Sequence, residues 1–258
     1  MGMLDERHEN AARYLAAART AGRPGERLPE AWRPADLEAA LGIQRRVGEL
    51  LGQRTGGWKC SLPSPARPIL VAPILAPTIV HGPRCAVVAA GDAARIEPEV
   101  AFIMGRALPR RDEPYSDAEI VAAIAETHLV LELLGSRYAD TASPTWEEMI
   151  ADSLQNQGLV IGPPVPGGPE AALESMLVVV RGPGGILSTH DGRHGDGHPL
   201  RPLCWLANFL AARDDGLRLG QVVTTGSYAG AIEVPLGQPL TVAFGDLGSI
   251  SVELIAAP

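Results

Sequence analysis

The chain has 258 residues, of which 46% are hydrophobic and 20% are charged. This length and balance exclude a mini-protein and a disordered or fibrous chain, and they predict a packed globular core. The 22 Lys and Arg residues against 30 Asp and Glu residues give a net charge of −8. Because no cluster of basic and aromatic residues occurs, we expect no nucleic-acid partner.

No apolar run reaches the ~18 residues that a membrane span requires, and residues 1–10 are too polar for a signal peptide. We therefore expect no membrane partner and a cytoplasmic location. The three cysteines, Cys60, Cys85 and Cys204, are odd in number and widely spaced. This spacing favours reduced thiols over a disulfide framework or a zinc site, and we assign them no catalytic role.

The N-terminal part of the chain is predicted to be helical. Apolar residues recur at helical spacing over Leu4–Thr20 and Ala35–Leu51, with a Pro- and Gly-rich break between them. Prolines then recur every few residues between positions 56 and 83, which excludes a long helix. We interpret this stretch, which includes Pro68, as an extended or looping connector over the core.

The centre of the chain alternates strands and short helices. Ser116 and Glu119 have the spacing of a capping box, and the apolar residues after them predict a helix that continues toward His128. A second short helix is predicted to begin at Ser143. Apolar and β-branched runs predict strands at Cys85–Ala90, Ala94–Met104 and Leu129–Leu134.

The C-terminal half is predicted to consist mainly of strands and turns. A single helix, Leu200–Arg213, interrupts the strands and ends before Asp214. No repeat and no low-complexity linker occurs, so we predict one β-rich domain behind a helical N-terminal segment. The predicted strands are Gly158–Ile161, Met176–Arg181, Gly185–Thr189, Val222–Thr225, Pro239–Phe244 and Ser249–Ile255.

Three acidic residues occur within apolar strand patterns. Glu97 and Glu99 are two positions apart, so their side chains leave the strand on the same face. Glu132 is flanked by leucines in the next strand, where a buried carboxylate requires a partner. Three carboxylates form an all-oxygen site, which suits Mg²⁺ or Mn²⁺ better than zinc.

Simpler interpretations of these residues remain open. Glu97 and Glu99 can be the solvated face of an amphipathic strand, and Glu132 can form an ion pair with Arg95 or Arg137. A Gly-rich segment contains three histidines, and we favour a solvated loop or a turn over a metal site for them. These histidines are His190, His194 and His198.

A set of short segments resembles the fumarylacetoacetate hydrolase superfamily in residue type and in order along the chain. The resemblance is closest to its 2-keto-4-pentenoate hydratase and 4-oxalocrotonate decarboxylase branch, and it extends from about Gln44 to Leu254. The segments that carry it are Ile96–Ala101, Leu131–Arg137, Ala151–Asp152, Gly158, Ile161–Gly162, Gly197–Leu200, Trp205–Asn208 and Thr225–Ser227.

The resemblance implies an α+β fold, a mixed β-roll with a helical N-terminal lid segment. We accordingly divide the chain into a helical segment over residues 1–55 and a β-rich catalytic core over residues 56–258. The resemblance also implies an Mg²⁺ or Mn²⁺ ion held by Glu97, Glu99 and Glu132, which would chelate a small 2-oxo acid. Members of this branch usually assemble as homo-oligomers.

Further site residues follow from the same resemblance. The segment Gly56–Ser61 resembles a lysine-containing segment of the hydratases, which makes Lys59 the candidate catalytic residue that supplies charge or a proton. Asp152 and Gln155 are predicted to form the wall beside the substrate. Thr225–Ser227 can offer hydroxyl and backbone N–H groups, so Thr225, Gly226 and Ser227 are predicted to bind the substrate carboxylate. A plain turn at the end of a strand is the alternative interpretation of this segment.

The predicted activity is that of a metal-dependent lyase that adds water to an enol or dienol form of a 2-oxo acid. Three alternatives remain: decarboxylation of a vinylogous 2-oxo diacid, C–C hydrolysis of an acylpyruvate, and a non-catalytic ligand-binding role. The hydrolase would need a His-Glu pair on the N-terminal lid, for which His8 and Glu9 are the nearby candidates. The altered segment 152–157 motivates the non-catalytic alternative.

Overall fold

The computed structural model of the chain describes residues 5–65, 69–89, 91–213 and 216–257. Leu4, Pro68, Ala90 and Asp214, which enter four of the predictions, lie outside these residues. The α-helices are α1 (Glu6–Ala21), α2 (Leu37–Leu50), α3 (Asp117–Val121), α4 (Trp146–Ala151) and α5 (Leu200–Ala211). The strands are β1 (Thr55–Ser61), β2 (Leu70–Leu75), β3 (Ile79–Val80), β4 (Arg84–Val87), β5 (Ala93–Met104), β6 (Ile124–Leu134), β7 (Asn156–Pro164), β8 (Ser175–Gly182), β9 (Gly185–Arg193), β10 (Val222–Thr224), β11 (Ile232–Pro235), β12 (Pro239–Phe244) and β13 (Ser249–Ala256).

The strands form two mixed sheets. The larger sheet has the order β2-β1-β10-β5-β6-β7-β3, with β11 paired to the first half of β5, and the smaller has the order β4-β13-β12-β8-β9. Strand β5 pairs antiparallel with β6, β10 and β11, whereas β1 is parallel to β10. Three strands of the large sheet, β6, β10 and β11, therefore pair with β5.

The alternation of side chains along β5 separates the core from the polar face. Ile96, Val100 and Phe102 are fully buried in the main core, together with residues of the small sheet and of α5. Glu97 and Glu99 occupy the intervening positions, so they leave the other face of the sheet. Helices α2 and α4 pack against β2 at the edge of this second face.

The predicted α+β fold is confirmed, since mixed sheets dominate the structure and two long helices begin it. The division of the chain at residue 55 stays a prediction. In the described ranges, no helix has the length and apolar character needed to cross a membrane.

Two predictions of local structure are wrong. The helix expected to continue toward His128 ends at Val121, and β6 begins at Ile124. Residues 124–128 pair with residues 101–104 of β5, and the hydrogen bonds of this pairing override the helical spacing of their side chains. The Pro-rich stretch is extended, as predicted, but it is not a connector over the core, because β1 and β2 of the large sheet lie in it. Pro73 is compatible with a strand because β2 lies at the edge of the sheet.

Candidate metal centre

Three carboxylates meet on the second face of the large sheet. Glu97 and Glu132 are direct cross-strand partners on β5 and β6, and Glu99 follows Glu97 on the same face of β5. One carboxylate oxygen from each residue lies within 4.8 Å of the others. The structure therefore brings together the acidic residues that the sequence predicts as metal ligands, and we call Glu97, Glu99 and Glu132 the acidic triad.

Glu99 is held by the end of β10. Its Oε2 accepts hydrogen bonds from the Thr224 hydroxyl and from the Gly226 backbone N–H, the latter at 2.9 Å. Gly226 has φ 116°, a conformation that residues with a Cβ rarely adopt. Glycine at this position therefore lets the backbone turn its N–H toward the carboxylate.

Glu132 is fully buried, and only one of its two carboxylate oxygens has a hydrogen-bond partner among the described residues. Its Oε1 accepts hydrogen bonds from Asn156 Nδ2 at 2.8 Å and from Lys59 Nζ, which lies 2.6 Å away. Its Oε2 has no partner among the described residues. Lys59 Nζ also lies 3.9 Å from Glu97 Oε2 and donates to the Leu154 carbonyl at 3.4 Å. One oxygen of a buried carboxylate is thus left for a further ligand, since an unpaired buried oxygen is costly.

The charges of the triad are only partly balanced. Burial, with the charges of Glu132 and Glu97, raises the pKa of Glu99 to about 8. Burial likewise raises the pKa of Glu132, although Lys59 opposes this shift. For Lys59 burial opposes the charged form, but the three carboxylates outweigh it and raise its pKa. Without a further cation, the cluster resists full ionisation.

A divalent cation fits this donor set. Three carboxylates against one ammonium leave two negative charges when all groups are ionised, and a divalent ion would balance them. The donors are hard oxygens, which suit Mg²⁺, Mn²⁺ or Ca²⁺ rather than zinc. The nearby Cys60 thiol is free and buried, and burial raises its pKa well above the usual value, so it remains protonated.

Two residues of the triad, Glu97 and Glu99, line a cavity of about 570 Å³, and Glu132 is buried beside them. Lys59, Glu97 and Glu99 contribute to the cavity floor, and Trp146 and Met149 of α4 contribute apolar surface. The remaining lining that concerns the site is polar. It comes from β5, from the turn before β7 and from loops, namely Arg95, Gln155, His194, Asp196, Thr225, Gly226 and Ser227. The cavity therefore combines a charged floor with mixed walls, as expected of a site for a small polar ligand.

One wall of the cavity has a constrained backbone. Ser153, Leu154 and Gln155 have consecutive positive φ angles of 55°, 51° and 64°. This left-handed region is costly for residues with a Cβ, and such strain is concentrated at functional sites. Here it directs the Leu154 carbonyl toward Lys59 and places Gln155 in the cavity wall.

Comparisons with known proteins identify similar enzymes. No protein-family model matches the chain. The chain is 26% identical over 161 residues to the 4-oxalocrotonate decarboxylase of Pseudomonas putida. This alignment covers 62% of the chain and 60% of the decarboxylase. The chain is 26% identical over 256 residues to 2-keto-4-pentenoate hydratase 2 of Dechloromonas aromatica, covering 94% of this chain and 95% of that protein.

Solved structures share the fold. The 4-oxalocrotonate decarboxylase from Pseudomonas putida G7, complexed with magnesium and adipate, superposes with a TM-score of 0.79 at 22% identity and covers 98% of this chain and 99% of that chain. The fumarylpyruvate hydrolase from Pseudomonas aeruginosa, in complex with Mn²⁺ and pyruvate, gives 0.54 at 15% identity over 80% of this chain and 91% of that chain. The resemblance to the hydratase and decarboxylase branch is confirmed.

Most of the substrate-binding residues predicted from this branch line the cavity. Gln155, Thr225, Gly226 and Ser227 all do so. Asp152 does not, because its carboxylate bonds to the backbone and side chain of Arg137 and is fully buried there. The ion pair uses the oxygens that a substrate would need, so the structure gives Asp152 a role in holding the chain rather than in the cavity wall.

The structure contradicts the alternative interpretations of the acidic residues. The structure buries Glu99, so the acids of β5 are not a solvated face. The ion-pair partner of Glu132 is Lys59, while Arg137 pairs with Asp152 instead. On α1, Glu9 bonds to Arg46 and His8 lies beside Asp5, and neither is among the residues that line the cavity.

Some site residues are missed by the sequence analysis. His194 is buried rather than solvated, lines the cavity and packs edge-on against Tyr228. Its Nδ1 accepts the backbone N–H of Asp196, while its Nε2 has no partner among the described residues. Thr224 and Asn156 also hold the triad. Their only signal in the sequence is position: Thr224 lies within a predicted strand, and Asn156 lies just before one.

Proposed function

We propose that this protein is a divalent-metal-dependent lyase that adds water to an enol or dienol form of a small 2-oxo acid. The observation that carries the proposal is the acidic triad: Glu97 and Glu99 line a cavity large enough for such an acid, and Glu132, buried beside them, has an unpartnered carboxylate oxygen. The hydratases and decarboxylases among its relatives, and the magnesium- and Mn²⁺-containing neighbours, support the same chemistry.

Each residue has a defined task in this proposal. Glu97, Glu99 and Glu132 would hold Mg²⁺ or Mn²⁺. When bound, the ion supplies positive charge that stabilises negative charge on the substrate oxygens. Lys59 lies 2.6 Å from Glu132 and lines the cavity, so its ammonium orients that carboxylate and offers a positive charge to the substrate.

The loop after β10 would bind the substrate carboxylate. The Thr225 hydroxyl is buried without a hydrogen-bond partner among the described residues, and Thr225 and Ser227 line the cavity. A hydroxyl that lacks a partner in the free protein gains one when a carboxylate binds beside it. This loop therefore supports the substrate-binding role predicted for Thr225, Gly226 and Ser227.

Decarboxylation of a vinylogous 2-oxo diacid is the second candidate. It is favoured by the sequence similarity to 4-oxalocrotonate decarboxylases. In this reaction a C–C bond to a carboxylate breaks, CO₂ leaves, and its electron pair passes into the conjugated substrate. The same charged floor stabilises both reactions, so the two are separated by their products.

Product analysis tests the proposal. We would incubate the protein with Mn²⁺ and a panel of 2-oxo acids in their enol forms, and follow loss of enol absorbance together with CO₂ release. Loss of absorbance without CO₂, with a single product that carries one added water, supports the hydratase. Two cleavage fragments support the acylpyruvate hydrolase, and stoichiometric CO₂ supports the decarboxylase. The lyase proposal is wrong if wild-type protein and the Glu97→Gln variant show equal rates in the presence of Mn²⁺.

Replacement of Lys59 tests its proposed catalytic role. We expect Lys59→Met to retain Mn²⁺ binding and to lower kcat by about 100-fold or more, because it removes a charged group beside the reacting atoms. Calorimetry with Mn²⁺ and steady-state kinetics measure the two effects separately. An unchanged kcat would contradict the assignment.

The assembly and location of the protein are further proposals. On the resemblance to this branch, we propose that the protein acts as a homo-oligomer in the cytoplasm, with Mg²⁺ or Mn²⁺ as its ion. Sedimentation analysis of the full chain tests the oligomeric state.

A further inference from the structure

Arg95 continues the row of charged side chains on β5. It precedes Glu97 by two positions and Glu99 by four, so all three side chains leave the same face of the strand. All three line the same cavity. A strand advances about 3.4 Å per residue, which places the Arg95 Cα roughly 7 Å along the strand from that of Glu97. One cavity thus has an anionic end at the triad and a cationic group beside it.

Arg95 has no ion-pair partner in the described part of the chain. Its one hydrogen bond among the described residues runs from Nη1 to Gln155 Oε1 at 3.0 Å, and no carboxylate of those residues forms an ion pair with it. Glu233, its cross-strand neighbour on β11, is exposed and is not bonded to it. By contrast, Arg27 and Arg46 each bind a carboxylate directly.

The hydrogen bond that Arg95 donates to Gln155 orients the Arg95 guanidinium. Gln155 belongs to the constrained segment with positive φ angles, and its carbonyl accepts the Gly135 N–H at 2.8 Å. The amide oxygen of Gln155 takes one N–H of Arg95 and leaves the other donors of the guanidinium available. A guanidinium retains its charge at all physiological pH values and matches a carboxylate with two parallel hydrogen bonds.

Two leucines near Arg95 contribute apolar surface to the same cavity. Leu134 is the cross-strand partner of Arg95 on β6, and Leu154 precedes Gln155, and both line the cavity. A hydrocarbon chain can therefore pass from the triad to Arg95 against leucine side chains. This arrangement matches a ligand that has a chelating group at one end, a short carbon chain, and an anion at the other end.

We propose that Arg95 binds the distal carboxylate of a 2-oxo dicarboxylate, and thereby selects dicarboxylate over monocarboxylate substrates. This inference rests on the proposed function, because the 2-oxo end is placed at the triad. It is stated for hydration, in which the distal carboxylate takes no part in the chemistry. In the decarboxylation of a vinylogous 2-oxo diacid the distal carboxylate is the group that leaves as CO₂, so there Arg95 would contact the reacting group.

The test compares two acids of equal chain length, 2-oxoadipate and 2-oxohexanoate, which differ in the terminal carboxylate. Calorimetry with the Mn²⁺-loaded full chain gives the Kd of each. We expect 2-oxoadipate to bind about 10- to 100-fold more tightly to the wild type, the range of a hydrogen bond to a charged group. Arg95→Met should abolish this preference and leave the Kd of 2-oxohexanoate within about twofold of the wild-type value.

Control variants make the result specific. Arg84→Met removes an exposed arginine of β4 that pairs with Glu253 outside the cavity, and it should retain the preference. If Arg95→Met binds neither acid, Arg95→Gln is measured instead. Equal binding of the two acids by Arg95→Gln supports the proposal, and tighter binding of 2-oxoadipate by this variant overturns it.

The outcomes separate the inference from the proposed function. Equal Mn²⁺-dependent binding of the two acids to wild-type protein overturns the role of Arg95 and leaves the proposed function intact. Absence of Mn²⁺-dependent binding of either acid contradicts the proposed function, and the inference falls with it.

Discussion

Glu132 illustrates how a single side chain can require a ligand. It is fully buried, its Oε1 is held by Lys59 and Asn156, and its Oε2 has no partner among the described residues. Folding to this state leaves an unpaired oxygen in a low-dielectric environment, which is unfavourable unless a cation binds. The geometry of this residue therefore links metal binding to stability.

Replacement of Glu132 should weaken metal binding. Substitutions outside the ligand set of metal sites cost about 10- to 100-fold in affinity, so we expect Glu132→Gln to raise the Kd for Mn²⁺ by at least about 10-fold. Calorimetric titration with Mn²⁺ measures the change. Glu126→Gln is the matched control, because Glu126 lies on the same strand with 60% of its side chain exposed. Equal affinities of the two variants would rule out Glu132 as a ligand.

The close packing of β1 on β10 positions Lys59 relative to the triad. Lys59 and Thr224 are partners in this parallel pair, and Gly57 is the partner of Val222. A Cβ at position 57 would collide with the Val222 carbonyl and side chain. The absence of a side chain at Gly57 therefore allows the strand that carries Lys59 to approach the strand that holds Glu99.

Gly57→Ala should separate these strands. We expect the free energy of unfolding to fall by about 1–3 kcal/mol, the usual cost of overpacking a core contact. Urea denaturation measures it. Gly184→Ala is the control, since no atom lies within 4 Å of a Cβ placed there, and it should be nearly neutral. Equal stabilities of the two variants would show that β1 can shift without cost.

Helix α4 is tied to the N-terminal segment through Glu148. This buried carboxylate accepts hydrogen bonds from Arg27 at 2.5–3.1 Å and from the Thr145 backbone N–H at the start of the helix. Burial opposes its ionisation, but these bonds outweigh burial and lower the pKa of Glu148. A lowered pKa adds stability above the pKa of the unfolded chain, and this stability is lost as the pH falls through the folded pKa.

Glu148→Gln should therefore destabilise the protein in a pH-dependent manner. At pH 7 we expect a loss of about 1–3 kcal/mol, because Arg27 loses its carboxylate. The difference from wild type should shrink as the pH falls below about 4, where carboxylates protonate. Urea denaturation at both pH values tests this, with Glu147→Gln on the same helix as the control. A pH-independent difference would contradict the assigned cause.

At the scale of the whole protein, we expect a divalent ion bound at the triad to stabilise the folded state. A ligand at 100 times its Kd adds about 2.7 kcal/mol, which for a domain of this size raises Tm by about 5–10 °C. Differential scanning calorimetry with and without Mn²⁺ measures the shift. Glu132→Gln should lose most of it, and a variant shift equal to that of wild type would place the ion elsewhere.

The large sheet explains why these effects are coupled. Its strands β1, β10, β5 and β6 lie side by side and carry Lys59, Thr224, Glu99 and Glu132 in turn. A change that displaces one strand alters the others through the shared hydrogen-bond ladder. Stability and metal affinity should therefore change together when strand packing is disturbed.

Local pattern was sufficient to identify the ligand-bearing strand. The alternation of apolar and acidic residues in β5 predicts both the strand, within one residue at its start, and the shared face of Glu97 and Glu99. These features depend on neighbouring residues, since side chains in a strand alternate with a period of two. The isolated acid among leucines in β6 similarly indicates a buried carboxylate.

Contacts between distant segments decided the rest. Lys59 meets Glu132, Arg95 meets Gln155, and Asp152 binds Arg137, across separations that no local pattern encodes. The start of β6 and the burial of His194 likewise depend on which strands pair and on which loops cover them. Tertiary packing sets these partners, because a buried charged group takes the counter-charge that the assembled sheet places beside it.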